Sequence, residues 1–245
     1  MTLGRKIIRL GAVIALAAFV AVALANPAVG ILYKRSAYGN LESICTVSIV
    51  AGADVNVDAD VALVTAAHCV NRDLVYDDGV EEWRDNADWL VTFDEQSFAG
   101  AYVHRAGVMD RGYDVAVLVF AGEPLEGVEP LRFGNWDDVQ LGDRLLNWAN
   151  PLGIGVQRFE GYVSMLSLER PVKGANIWWR HHGVAIIPGA GGSSGSLLLN
   201  ADGDVIGVLI GVIQSSFGTP FVIFVPLSRV ETFLVNDAYG RTITR

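Results

Sequence analysis

The chain has 245 residues, 51% of them hydrophobic, with 27 acidic against 18 basic residues and a net charge of −9. Such a length buries one substantial core, and all-β folds of this size commonly run as a single domain. The acidic excess argues against nucleic acid as a partner, since phosphate binding needs basic patches.

The first predicted element is a targeting segment. Arg5, Lys6 and Arg9 form a positive flank, an uncharged apolar run covers 10–25, and Ala23-Leu24-Ala25 resembles a signal-peptidase site. Residues 1–25 therefore read as a cleaved signal peptide or as an uncleaved signal anchor. From Ile7 to Ala25 the apolar stretch is 19 residues, close to the roughly 20 that span a bilayer. Both readings place the rest of the chain outside the cytoplasm, secreted or periplasmic. Without those residues 15 basic remain against 27 acidic, a net charge near −12.

Strand-like runs follow at 46–50 and 61–65, the second leading into Ala66-Ala67-His68-Cys69, where small residues let a turn or short helix begin. An acidic stretch comes next, including Asp77, Asp78, Glu81, Glu82, Asp85 and Asp88. It reads as a solvated surface loop, with a calcium site as the sharper alternative because oxygen-rich loops suit that ion. Further strands are predicted at 89–93 and 115–120, the latter headed by Asp114, and the Pro- and Gly-containing stretch 121–130 reads as a connection. A second group of strands is predicted at 145–148, 161–166, 184–187, 196–199, 205–210 and 221–225, followed by helical spacing over 227–236. His181 and His182 read as packing or strand-edge residues rather than metal ligands.

Three polar residues stand out in the order His68, Asp114, Ser194. A buried carboxylate at the head of a strand needs a cationic or hydrogen-bonding partner, and an imidazole would serve. In Gly191-Gly192-Ser193-Ser194-Gly195-Ser196, glycines flank a hydroxyl where the backbone must turn sharply and approach a substrate closely. A plain Gly/Ser turn between strands accounts for that composition equally well. Only Ser194 has Gly both two before and one after it, with Ser193 and Ser196 as alternatives.

Taken together, the three segments resemble the trypsin-like serine peptidases of the chymotrypsin superfamily. Within it, Val139-Gln140-Leu141-Gly142-Asp143, Asn150-Pro151-Leu152-Gly153, Gly161-Tyr162-Val163-Ser164, Asp202-Gly203-Asp204-Val205-Ile206-Gly207 and Phe224-Val225-Pro226 resemble the HtrA/Deg-type protease domain. The resemblance implies an all-β fold of two six-stranded antiparallel β-barrels with a short C-terminal helix. The domain would occupy 36–240, with barrel 1 at about 40–120 and barrel 2 at about 131–226.

The resemblance also implies roles. Ser194 would attack a peptide carbonyl, His68 would take and return the proton, and Asp114 would hold the His68 tautomer. The N–H groups of Gly192 and Ser194 would form the oxyanion hole. Cys45 and Cys69, the only two cysteines, would form a disulfide, whereas their spacing matches no zinc pattern. The implied chemistry needs no metal and no cofactor, and the implied partner is a protein or peptide substrate, exported or misfolded proteins among them.

Departures from the family pattern refine these expectations. Ser193 stands where an activation ion pair would need Asp, so no zymogen switch is expected. Ser196 stands where a second Gly is usual. Pro188 replaces the acidic base of a trypsin-type pocket. With Leu209, Ile210, Gly211, Val212 and Phe221 as the other expected pocket residues, a small or medium apolar P1 residue is predicted. The chain is expected to lack PDZ modules. A lipase or esterase of the α/β-hydrolase type is disfavoured by residue order and by the absence of a Gly-x-Ser-x-Gly elbow. A catalytically silent domain that binds peptides or acts as a chaperone is the reading from another class.

Overall fold

A computed structural model describes residues 28–35, 38–70, 89–94, 97–107, 112–123, 127–171, 178–214, 220–236 and 240–242. The targeting segment and the acidic residues from Asp77 to Asp88 lie outside the described residues. Among the described residues no helix is long and apolar enough to cross a membrane.

Two closed six-stranded antiparallel barrels make up the fold. The first contains β1 (Val29–Arg35), β2 (Leu41–Ala51), β3 (Val61–Thr65), β4 (Trp89–Thr92), β5 (Ala99–Gly107) and β6 (Ala116–Phe120). They join in the order β5-β4-β1-β2-β3-β6, and a β5–β6 pairing closes the ring. The second contains β7 (Arg144–Ala149), β8 (Gln157–Pro171), β9 (Trp178–Ile186), β10 (Leu197–Leu199), β11 (Val205–Gln214) and β12 (Pro220–Pro226). These close in the order β10-β11-β12-β9-β8-β7. Closure of each ring pairs its terminal strands, which for antiparallel sheets lessens the hazard of unpaired backbone groups.

The first barrel begins at Val29, ahead of the expected start near residue 40, and the Ala28 carbonyl already accepts the Ile49 N–H at 2.7 Å. Two further strands lie outside the predicted runs. β5 is rich in Ala and Gly, residues with poor strand propensity. β13 (Gly240–Thr242) is only three residues long and pairs with the far half of β5, beyond the stretch that pairs with β4.

Two devices tie the barrels together. Leu131 N–H donates to the Ile49 carbonyl and Arg132 O accepts from Val205 N–H, so the connecting chain is stitched to both β2 and β11. Helix α2 (Leu227–Val235) leaves β12 and buries Leu227, Val230, Phe233 and Leu234. Those four join a core that combines Leu32, Val47, Leu63 and Val117 of the first barrel with Leu197, Val208, Ile223 and Val225 of the second. A smaller core around Leu145, Leu198, Leu209 and Phe224 belongs to the second barrel alone.

Candidate active site

β3 ends at Thr65, and the chain turns through Ala66 into the single-turn helix α1 (Ala67–Val70), which carries His68. Cys69, next to it, is bonded to Cys45 on β2. The ligand atoms of Cys45, His68 and Cys69 lie within 4.8 Å of one another, but both sulfurs are consumed by the disulfide, leaving no thiolate pair for a metal.

Asp114 precedes β6 and is completely buried, whereas the His68 side chain keeps 24% exposure. The carboxylate grips His68 twice: Oδ1 accepts the backbone N–H at 2.8 Å and Oδ2 meets the ring Nδ1 at 2.7 Å. A carboxylate can only accept, so Nδ1 carries the proton and Nε2 presents a lone pair. Tyr113, beside Asp114, lies under the Arg229 guanidinium of α2 at 4.1 Å. His182 on β9 is fully buried, and among the described residues neither ring nitrogen has a hydrogen-bond partner. Burial pushes its imidazole down to about 4, opposed by the Asp114 carboxylate and reinforced by Arg229 and His181.

The three neighbouring serines have different surroundings. Ser193 and Ser196 are fully buried; the Ser193 hydroxyl accepts the Ala190 N–H, and the Ser196 hydroxyl accepts from Asn147 Nδ2 at 2.9 Å. Ser194 is half-buried, and its hydroxyl makes only a long 3.4 Å contact with the Ile210 carbonyl oxygen among the described residues. Gly195, at φ +86°, lies so close to Thr65 Oγ1, the Thr46 carbonyl and Ala66 N that a Cβ would strike all three. Only glycine lets the serine loop sit against the chain two residues before His68.

Gly192, at φ +92°, packs against the Asn150 carbonyl. The Gly191 carbonyl accepts the Leu152 N–H at 2.6 Å, and the Ser193 carbonyl accepts the Ser196 N–H at 3.1 Å. In a planar trans peptide the N–H points opposite to the C=O. The N–H groups of Gly192 and Ser194 therefore face away from those bonds, and among the described residues neither donates to a protein acceptor.

The expected pocket residues are distributed unevenly. Pro188 is exposed, and its neighbour Gly189 packs against Val212 and Val222. Val212 pairs with Val222, and Phe221 pairs with Ile213 across β11 and β12, with a register shift between Leu209 and Gly211. Ile210 brings its carbonyl to Ser194, and Gly211 is half-buried. Leu209 is fully buried in the second barrel's core, so its side chain lines no open pocket.

Two polar residues that the sequence reading leaves without a role are built into the site: Thr46 and Asn150, both fully buried. Asn150 Nδ2 donates to Ser43 Oγ at 2.8 Å, and its Oδ1 accepts the Gly155 N–H at 2.9 Å, which shapes the loop carrying Leu152. Asn150 stands in the Asn-Pro-Leu-Gly motif, a positional signal without chemistry attached. Thr46 has no local signal beyond its place after Cys45.

The family described as trypsin-like peptidase domain matches residues 51–208. No curated protein matches the chain. Among solved structures, the HtrA-type protease AlgW with a decapeptide aligns at TM-score 0.62 and 19% identity, over 87% of this chain and 65% of that one. AlgW with a tripeptide aligns at TM-score 0.58 and 23% identity, over 85% and 59% respectively. A serine-to-alanine mutant of Rv3671c from M. tuberculosis, in an inactive form, aligns at TM-score 0.59 and 17% identity over 85% of each chain. This chain thus spans less than two thirds of the AlgW chains, and at these identities the likeness is one of fold.

Proposed function

The chain belongs to the family of trypsin-like peptidase domains, and from that premise we propose that it is a serine endopeptidase working through His68, Asp114 and Ser194. The observation that carries this reading is the double grip of buried Asp114 on His68, which orients the ring with Nδ1 towards the carboxylate so that Nε2 of the neutral imidazole is the nitrogen left to act as a base. Ser194, the least constrained of the three serines, attacks the peptide carbonyl as Nε2 takes its proton. The developing oxyanion is met by the N–H groups of Gly192 and Ser194. Collapse of the tetrahedral intermediate passes the proton to the leaving amine and leaves an acyl-enzyme, which water resolves by the reverse sequence.

The Ser193 hydroxyl already accepts the Ala190 N–H, so the serine loop has its local support without an inserted N-terminal ammonium. We assign it a small or medium apolar P1 side chain, since Pro188 supplies no acid and Val212 and Phe221 are apolar neighbours on the paired strands β11 and β12. The Cys45–Cys69 disulfide fits an exported domain, in an oxidising compartment, and exported or misfolded proteins are the substrates we assign to it. The test is labelling of the purified chain with a fluorophosphonate. The native chain is expected to label and Ser194→Ala to lose all labelling. Persistent labelling of Ser194→Ala would reassign the nucleophile, and a native chain that never labels would make this a peptide-binding domain.

A further inference from the structure

Five consecutive residues, Gly191 to Gly195, are pinned by backbone bonds to their surroundings. The Gly191 carbonyl is held by Leu152 N–H, the Ser193 N–H by the Ala190 carbonyl, the Ser193 carbonyl by Ser196 N–H and the Gly195 N–H by the Leu209 carbonyl. Two further carbonyls, those of Gly192 and Ser194, are both held by one residue of the opposite barrel. Thr46 Oγ1 donates to the Gly192 carbonyl at 2.9 Å, and Thr46 N–H donates to the Ser194 carbonyl at 2.9 Å.

The Thr46 hydroxyl has a determined polarity. Asn150 N–H can only donate, and it donates to Thr46 Oγ1 at 2.9 Å. The hydroxyl proton is thereby directed to Gly192. The Thr46 carbonyl accepts from Thr65 Oγ1 at 2.8 Å, so the backbone of β2 at this point is itself fixed to the end of β3. Through Asn150 the same hydroxyl also anchors the loop whose Leu152 N–H holds the Gly191 carbonyl.

We propose that Thr46 is a positioning residue for the reaction: its hydroxyl aims the Gly192 N–H at the oxyanion by fixing the peptides on both sides of Gly192. The inference rests on the peptidase reading above. Without the hydroxyl, the Gly192 carbonyl loses its partner and the buried Asn150 N–H loses its acceptor. An unsatisfied buried donor is costly, so the loop rearranges to find another. The donor that moves is one used in the transition state and not in the ground state, so kcat suffers and KM does not.

The test compares the native chain with Thr46→Val, which keeps the branched shape on the strand, and Thr46→Ser, which keeps the hydroxyl. Loss of a complete oxyanion donor costs about a hundredfold to a thousandfold in kcat, and a misaimed one costs less. Thr46→Val is expected to lower kcat about tenfold to a hundredfold per titrated site, with KM unchanged within about twofold and fluorophosphonate labelling slowed in parallel. Thr46→Ser is expected to restore kcat to within about threefold. A Thr46→Val chain that labels and turns over at the native rate overturns the inference while leaving the peptidase reading intact. A native chain that never labels overturns both. Should Thr46→Val fail to fold, Thr46→Ala takes its place, and failure of both to fold makes the role structural and overturns the inference.

Discussion

Ser193, Ser194 and Ser196 are chemically identical, and their surroundings alone separate them. Two hydroxyls are spent on buried bonds, and the third, on Ser194, makes only a long contact with the Ile210 carbonyl among the described residues. His182 makes the complementary case, a polar ring buried with no hydrogen bond among the described residues. Its pKa, pushed down to about 4, lies below that of an unfolded-chain histidine near 6.5. The unfolded state therefore binds a proton that the folded state refuses, and stability is intact above about pH 6.5 and lost progressively as the pH falls toward 4. The full shift corresponds to about 3 kcal/mol. Urea unfolding midpoints measured from pH 7 to pH 4 are expected to fall steeply for the native chain and more gently for His182→Phe, which fills the site with a ring that cannot titrate. Parallel slopes for the two would show that the loss comes from other groups.

At the scale of elements, the bond between Cys45 and Cys69 joins β2 to α1 across a sequence separation of 24. By the chain-entropy estimate, closing such a loop contributes about 3 kcal/mol. A Cys45→Ala/Cys69→Ala chain is expected to lose roughly that stability in urea unfolding, with slower fluorophosphonate labelling because α1 holds His68. An equally stable double variant would mean that packing alone fixes the β2–α1 junction. The sequence makes much of this architecture legible. β3 falls on the predicted run at 61–65, and α2 ends one residue short of the predicted 227–236. β8 is much longer than the predicted 161–166, because residues 164–167 are all exposed and three register shifts against β9 disturb the alternation that marks a strand. The site divides the same way. His68, Asp114 and Ser194 sit in recognisable local patterns. Thr46 acquires its place from partners 104 and 146 positions away, and no local pattern carries such information.

At the scale of the whole molecule, the larger core ignores the division into barrels. Phe233 of α2 is fully buried in it and lies under the Arg105 guanidinium of β5 at 5.0 Å, while Arg105 also donates to the Asn236 carbonyl at 2.7 Å. A ring shared by both halves couples their unfolding. Phe233→Ala is expected to cost about 3 to 5 kcal/mol, with tryptophan fluorescence and near-ultraviolet circular dichroism still reporting one common transition. Two separated transitions in the native chain would show that the barrels fold as independent units.

β13 extends this coupling into the order of events during synthesis. Gly240 pairs with Gly107, so the outer half of β5 waits for a strand made after the entire second barrel. Until that strand emerges from the ribosome, the β5 edge is an open template for pairing with another nascent chain. The long sequence separation also makes this the slowest kind of contact to form.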